Sequence, residues 1–112
     1  MKKTETLKKN YEFKNMFTKG KFVSGESITI YYMKNTREIN RIGIAISTKV
    51  GKSVVRNRIK RLFREAYTIL EKEIKYGFNI VFVWKKTANL EYATYHYIKR
   101  DMEKALKKAG IL

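Results

Sequence analysis

The chain has 112 residues, 44% of them hydrophobic and 13% aromatic, which is enough to bury one small core. Its 26 Lys+Arg against 10 Asp+Glu leave a formal charge of +16, which repels itself in the compact state and calls for a polyanionic partner. With no Cys and a single His, disulfides, thiolate metal sites, Cys nucleophiles and multi-His metal sites are excluded.

No apolar run approaches the ~18 residues of a membrane span, and Met1-Lys2-Lys3-Thr4-Glu5-Thr6 lacks the apolar core of a signal peptide. A cytoplasmic globular protein that meets nucleic acid is therefore expected. No Pro, Ser/Gly-rich linker or repeat divides the sequence, so residues 1–112 read as a single domain, with residues 1–9 basic and flexible.

Asn10 is placed to cap a short helix carrying Phe13, Met16 and Phe17, with Gly20 as its stop. Residues 21–24 can add a short strand before a turn at Gly25-Glu26. Residues 27–33 alternate with period two and are rich in β-branched and aromatic residues, which predicts a strand. A polar turn follows over 34–40. Residues 41–47 are nearly continuously apolar, which predicts a second strand at the centre of the sheet.

After Gly51 the period becomes helical: Val55, Ile59, Leu62, Ala66 and Ile69 step by four and three, predicting a helix over about residues 53–75 that ends near Gly77. Residues 78–84 read as a buried strand. Asn89 is a fair cap for a last helix whose core stripe is Ile98, Met102, Ala105, Leu106 and Ala109, closed by Gly110. The order α-β-β(-β)-α-β-α predicts an α+β fold, an α/β sandwich in which helices cover a small sheet.

The chemistry concentrates in residues 49–64, which hold seven cations and no acid before Glu65. At 100° per residue, Val55, Ile59, Leu62, Phe63 and Ala66 share one face, and Arg56, Asn57, Lys60, Arg61 and Arg64 fan across the opposite one. Arg56–Lys60 and Lys60–Arg64 are like-charge i,i+4 pairs, each costing a few tenths of a kcal/mol. A solvated basic face is the plain alternative. The density of charge favours a phosphate-binding helix in which Arg offers bidentate forks, Lys a point charge, and Asn57 hydrogen bonds to sugar or base edges.

The run Val55-Arg56-Asn57-Arg58-Ile59-Lys60-Arg61-Leu62-Phe63-Arg64-Glu65 resembles the Arg-Asn-Arg helix of the protein subunit of bacterial ribonuclease P. Leu7-Lys8, Phe13, Phe17 and Gly20 fit that family's opening pattern. Arg41-Ile42-Gly43-Ile44 and Lys49-Val50-Gly51 fit its run into the helix, so the likeness covers about residues 5–106. It implies an accessory subunit of a ribozyme, whose partners are the catalytic RNA and precursor tRNA, with no membrane and no obligate protein partner. The RNA cleaves the 5′ leader using Mg²⁺ held mainly by RNA, and no catalytic residue is expected in the protein. The protein binds the leader, raises substrate affinity and lowers the magnesium requirement.

By that resemblance Arg56, Asn57, Arg58 and Arg61 face the catalytic RNA, with Lys60 and Arg64 at the edge shared with the leader and Lys49 and Lys52 adding charge. It also implies a left-handed βαβ crossover, against the ordinary right-handed rule. From the residues alone, Phe13 and Phe17 read as core, and Tyr31 lies on the opposite strand face from Ile28 and Ile30. The resemblance places Phe13, Phe17 and Tyr31 in a cleft for single-stranded leader, where rings stack on bases without demanding sequence.

Other features carry less. His96 reads as surface or helix packing, and Trp84 as an end-of-strand packing residue or a stacking platform. Gly51-Lys52-Ser53 lacks the earlier Gly of a P-loop, since Ile46 stands there. Glu71, Glu73 and Glu91 make no paired-carboxylate pattern, which disfavours an independent nuclease. The alternative to a ribozyme subunit is a non-enzymatic RNA-binding or ribosome-associated protein using the same basic helix as an anchor. Such an anchor has no need of a single-strand groove.

Overall fold

The computed structural model describes residues 4–112. Strands β1 (Thr4–Thr6), β2 (Lys21–Ser24), β3 (Ile28–Lys34), β4 (Asn40–Ala45) and β5 (Phe78–Trp84) form one sheet in the order β1-β4-β5-β3-β2. Helices α1 (Asn10–Lys19), α2 (Ser53–Leu70) and α3 (Tyr95–Lys108) cover it. The β4–β5 and β1–β4 pairings are parallel, while β3 runs antiparallel to both β5 and β2. Mixed helices over a small sheet were expected from the sequence, and this is the architecture found.

Alternation along the strands gives the sheet two different faces. Ile28, Ile30, Ile42, Ile80, Phe82 and Trp84 point toward α2 and α3 and join Ile59, Phe63, Tyr67, Ile98, Met102 and Leu106 in the main core. Tyr31, Met33, Ala45, Val81 and Val83 point the other way, where α1 brings Phe13 and Met16. Tyr31 is thus opposite to Ile28 and Ile30, and Trp84 is a buried packing residue.

Several expectations need correction. The N-terminal segment is not uniformly loose: residues 1–3 lie outside the described residues, but Thr4–Thr6 pair with Asn40–Ile42 and Leu7 is buried. The Thr4 hydroxyl lies 2.9 Å from the Tyr67 hydroxyl and donates to the Glu71 carboxylate, tying β1 to the end of α2. Helix α1 is capped at Lys9, and Asn10 is its first helical residue; the Glu12 carboxylate accepts from the Lys9 N–H at 3.3 Å.

The central strand is β5, because β1 takes the outer side of β4. Helix α2 stops at Leu70 and a 3-10 turn over Glu71–Glu73 follows, so Ile69 is 55% exposed and the buried stripe is Ile59, Phe63, Ala66, Tyr67 and Leu70. Asn89 caps a 3-10 turn over Leu90–Tyr92, and Thr94 caps α3.

Candidate nucleic-acid interface

Helix α2 buries one stripe and turns its cations outward in three directions. Toward α3, the Arg58 guanidinium donates to the Ala93 carbonyl at 3.2 Å. Along the crest, Asn57 and Arg61 are exposed, and Arg61 has only a 4.0 Å approach to Glu65, itself exposed. Toward β4 lie Lys60 and Arg64, while Arg56 folds back so that its Nε donates to the Gly51 carbonyl at 3.1 Å. Lys49 and Lys52 are exposed on the turn that leads into the helix. The fan is therefore less uniform than the helical wheel suggests, since Arg56 and Arg58 are tethered to backbone carbonyls while Arg61 reaches into solvent.

On the other sheet face the aromatic residues gather. Phe17 stands edge-on to Tyr31 with ring centroids 4.9 Å apart, and Phe22 lies 5.9 Å from the same ring. Phe17 is 43% exposed and Phe22 65% exposed, so neither is the core residue that its type suggests. Sequence reasoning missed Phe22. Its only signal is the register of β2 on β3, which sets Phe22 opposite Tyr31 and so on the same face.

Phe13 is held differently. A Cβ on Gly43 would sit 2.6 Å from two carbons of the Phe13 ring, so glycine lets the ring lie directly on β4. Beside it, Arg41 forms an ion pair with Glu12. Burial alone would raise the Glu12 carboxyl, but the Arg41 hydrogen bond and charge, with the Lys9 N–H, hold it below its ordinary value.

The basic and aromatic surfaces meet at the edge of β4. β1 pairs with β4 only as far as Ile42. Past that point a crevice of about 100 Å³ opens, with Phe13 and Leu7 on one side and Lys60 and Arg64 on the other, around Gly43 and Ile44. Two cations and an aromatic ring thus border one opening. Phe17 and Tyr31 lie beyond it along α1, outside the crevice itself.

The described residues hold no group of three or more His, Cys, Asp or Glu side chains that could cage a metal ion. No helix among the described residues is long and apolar enough to cross a membrane.

The family model for ribonuclease P matches residues 1–110. The chain belongs to the ribonuclease P protein family. Among curated relatives, the ribonuclease P protein component of Thermoanaerobacter sp. (strain X514) is 42% identical over 110 residues, covering 98% of this chain and 93% of the relative. The same component from Clostridium botulinum (strain 657 / Type Ba4) is 41% identical, with 97% of each chain covered.

The RNase P protein structure from Staphylococcus aureus superposes with a TM-score of 0.83 at 30% identity, covering 95% of both chains. That from Thermotoga maritima superposes with a TM-score of 0.81 at 26% identity, covering 93% of this chain and 96% of the other. The agreement in fold with ribonuclease P proteins spans nearly the whole chain.

Proposed function

We propose that this protein is the accessory subunit of a ribonuclease P ribonucleoprotein in the cytoplasm. It binds catalytic RNA with the outer face of α2 and the 5′ leader of precursor tRNA in the cleft beside α1. The observation that carries this reading is the crevice at the β4 edge, where Lys60 and Arg64 face Phe13 across Gly43. A structural anchor needs only the cations. A subunit that hands a single strand to a folded RNA needs cations and rings side by side.

In this reading Arg61 and Asn57 meet the backbone of the catalytic RNA, and Arg56 and Arg58 do so from tethered positions that cost less side-chain freedom on binding. Lys49 and Lys52 add long-range attraction. Phe17, Phe22 and Tyr31 offer ring faces to unpaired leader bases. The bound phosphodiester is cleaved by the RNA, with magnesium held mainly by RNA. The partners the protein requires are RNAs.

The test is cleavage of 5′-labelled precursor tRNA at low magnesium by a bacterial ribonuclease P RNA, with and without the protein. Restored cleavage in the mixture, with none by the protein alone, supports the subunit reading. Cleavage by the protein alone would mean that it carries its own active site. RNA binding without rescue, by folded protein with a compatible RNA, would leave the anchor reading instead.

A further inference from the structure

The α2 face and the α1 cleft leave a third charged region without a role. Helix α3 carries Lys99, Arg100, Lys104, Lys107 and Lys108 against two carboxylates, and both carboxylates are engaged. Asp101 accepts from the backbone N–H groups of Glu26, Ser27 and Ile28 at 3.2, 2.9 and 2.9 Å. Glu103 pairs with Lys107 at 3.2 Å. Among the described residues Lys99, Arg100, Lys104 and Lys108 form no ion pair with a carboxylate.

Aromatic rings stand beside these cations. Tyr92 and Tyr97 are both more than a third exposed, with ring centroids 5.0 Å apart at 78°. The Arg100 guanidinium lies over the Tyr97 ring, 5.2 Å from its centroid. Tyr92, Tyr97, Arg100, Lys104 and Lys108 line a cavity of about 270 Å³ whose far wall is the β2–β3 turn. That wall is fixed by the three bonds to Asp101. Gly25 allows the close approach, since a Cβ there would lie 2.5 Å from an Asp101 oxygen.

We infer that this cavity is a second contact for single-stranded RNA, in which an unpaired base stacks against Tyr97 and Tyr92 and the neighbouring phosphates lie on Arg100, Lys104 and Lys108. The inference rests on the RNA-binding function proposed above. Phenol rings and guanidinium planes both stack on bases, so an unpaired nucleotide uses the rings and the cations together. An acidic peptide would engage the cations and leave the rings in water.

Position supports the same ligand. β2 is the edge of the sheet; its Val23 and Ser24 line the cavity, and Phe22 borders Tyr31 in the α1 cleft on the other face. A single strand that leaves the cleft over Phe22 needs only to turn the β2 edge to enter the cavity.

The test uses the full chain and a fluorescent single-stranded RNA of about 16 nucleotides, the upper end of site sizes for single-strand-binding domains, titrated by anisotropy across a salt series. The Arg100→Ala/Lys104→Ala variant should lower the salt slope by about 1.4, at about 0.7 for each phosphate no longer neutralised. Tyr97→Leu should weaken binding about tenfold, and Tyr97→Phe, which keeps the ring, should bind as the parent does. All three positions are outside the core, and thermal melts confirm that each variant folds.

Unchanged affinity and slope in Arg100→Ala/Lys104→Ala and in Tyr97→Leu, with binding weakened by Phe17→Ala, would overturn the cavity assignment and leave the proposed function standing. Variants that keep RNA affinity but lose binding to a polyglutamate peptide would put a protein partner there and overturn it as well. A parent protein that binds no RNA would instead defeat the proposed function on which the inference rests.

Discussion

One sheet face is sealed by two helices and a core containing Ile30, Ile59, Phe63, Phe82 and Leu106, whereas the other has only the ten-residue α1, which buries Met16 against Leu7 and Val81. The sealed face holds the largest of the fully buried side chains: Trp84, Tyr67, Phe63 and Phe82. The open face keeps Phe17 and Phe22 in solvent around Tyr31. A chain this short has a limited apolar supply, and concentrating it on one face leaves rings on the other free to bind. The buried side of the strands thus supplies the core, and the α1 side supplies exposed rings to the proposed leader contact.

That division is open to a direct challenge. Phe63→Ala should destabilise the protein by about 3–5 kcal/mol, as deletion of a fully buried ring does. Phe17→Ala should cost less than about 1 kcal/mol while weakening single-stranded RNA by about 1–3 kcal/mol. Urea unfolding and RNA titration of both variants give the comparison. Equal losses of stability would mean that the α1 side is core after all.

Gly43 tests the boundary between the two roles. Gly43→Ala puts a methyl 2.6 Å from the Phe13 ring, so α1 or the ring must shift, at about 1–3 kcal/mol. Adding Phe13→Ala should recover part of that loss, because the clash disappears with the ring. A Gly43→Ala variant as stable as the parent would show that Phe13 moves freely and does not define the crevice.

The sequence made the main elements and the basic face legible because both are local patterns. A period change after Gly51 marks α2, alternation marks β3, and an apolar run marks β5 as a buried strand. What it hid depends on distant partners. The segment Thr4-Glu5-Thr6 is polar, and it becomes a strand through pairing with Asn40–Ile42 and through the Tyr67 and Glu71 side chains, more than 60 residues away. Phe22 joins the aromatic group only through its cross-strand position against Tyr31. Ile69 matched a four-three step but falls off the stripe set by Phe63, Tyr67 and Leu70, and the eye accepts either run. Asn89 and Thr94 are both good caps, and the 3-10 turn between them decides which one starts the long helix.

Within the basic face the contrast lies between tethered and free cations. Arg56→Ala and Arg61→Ala should each lower the salt slope of catalytic-RNA binding by about one unit. Arg56→Ala should also lose about 1 kcal/mol of stability, because its side chain caps the Gly51 carbonyl beside a half-buried turn. Arg61→Ala should not, since its one acidic neighbour is 4.0 Å away and both are exposed. Unchanged slopes in both variants would remove the outer face of α2 from the interface.

The smallest expected effect is a pH dependence on the open face. The Glu12 carboxyl is held below its ordinary value of 4.5, against the opposing effect of burial, by Arg41 and the Lys9 N–H. Between the folded and unfolded values the native state binds fewer protons than the unfolded chain, so stability rises with pH there. The contribution is complete above about pH 4.5 and is lost as pH falls through the folded value, when the carboxyl takes a proton and its bond to Arg41 weakens. Comparing Glu12→Gln with the parent isolates this one group. The parent should be more stable by about 1 kcal/mol at pH 7, and the two should converge only in acid, below pH 4.5. A gap that stays constant into acid would mean that the Glu12–Arg41 pair contributes shape to the α1 side, through packing of the two side chains, and no charge.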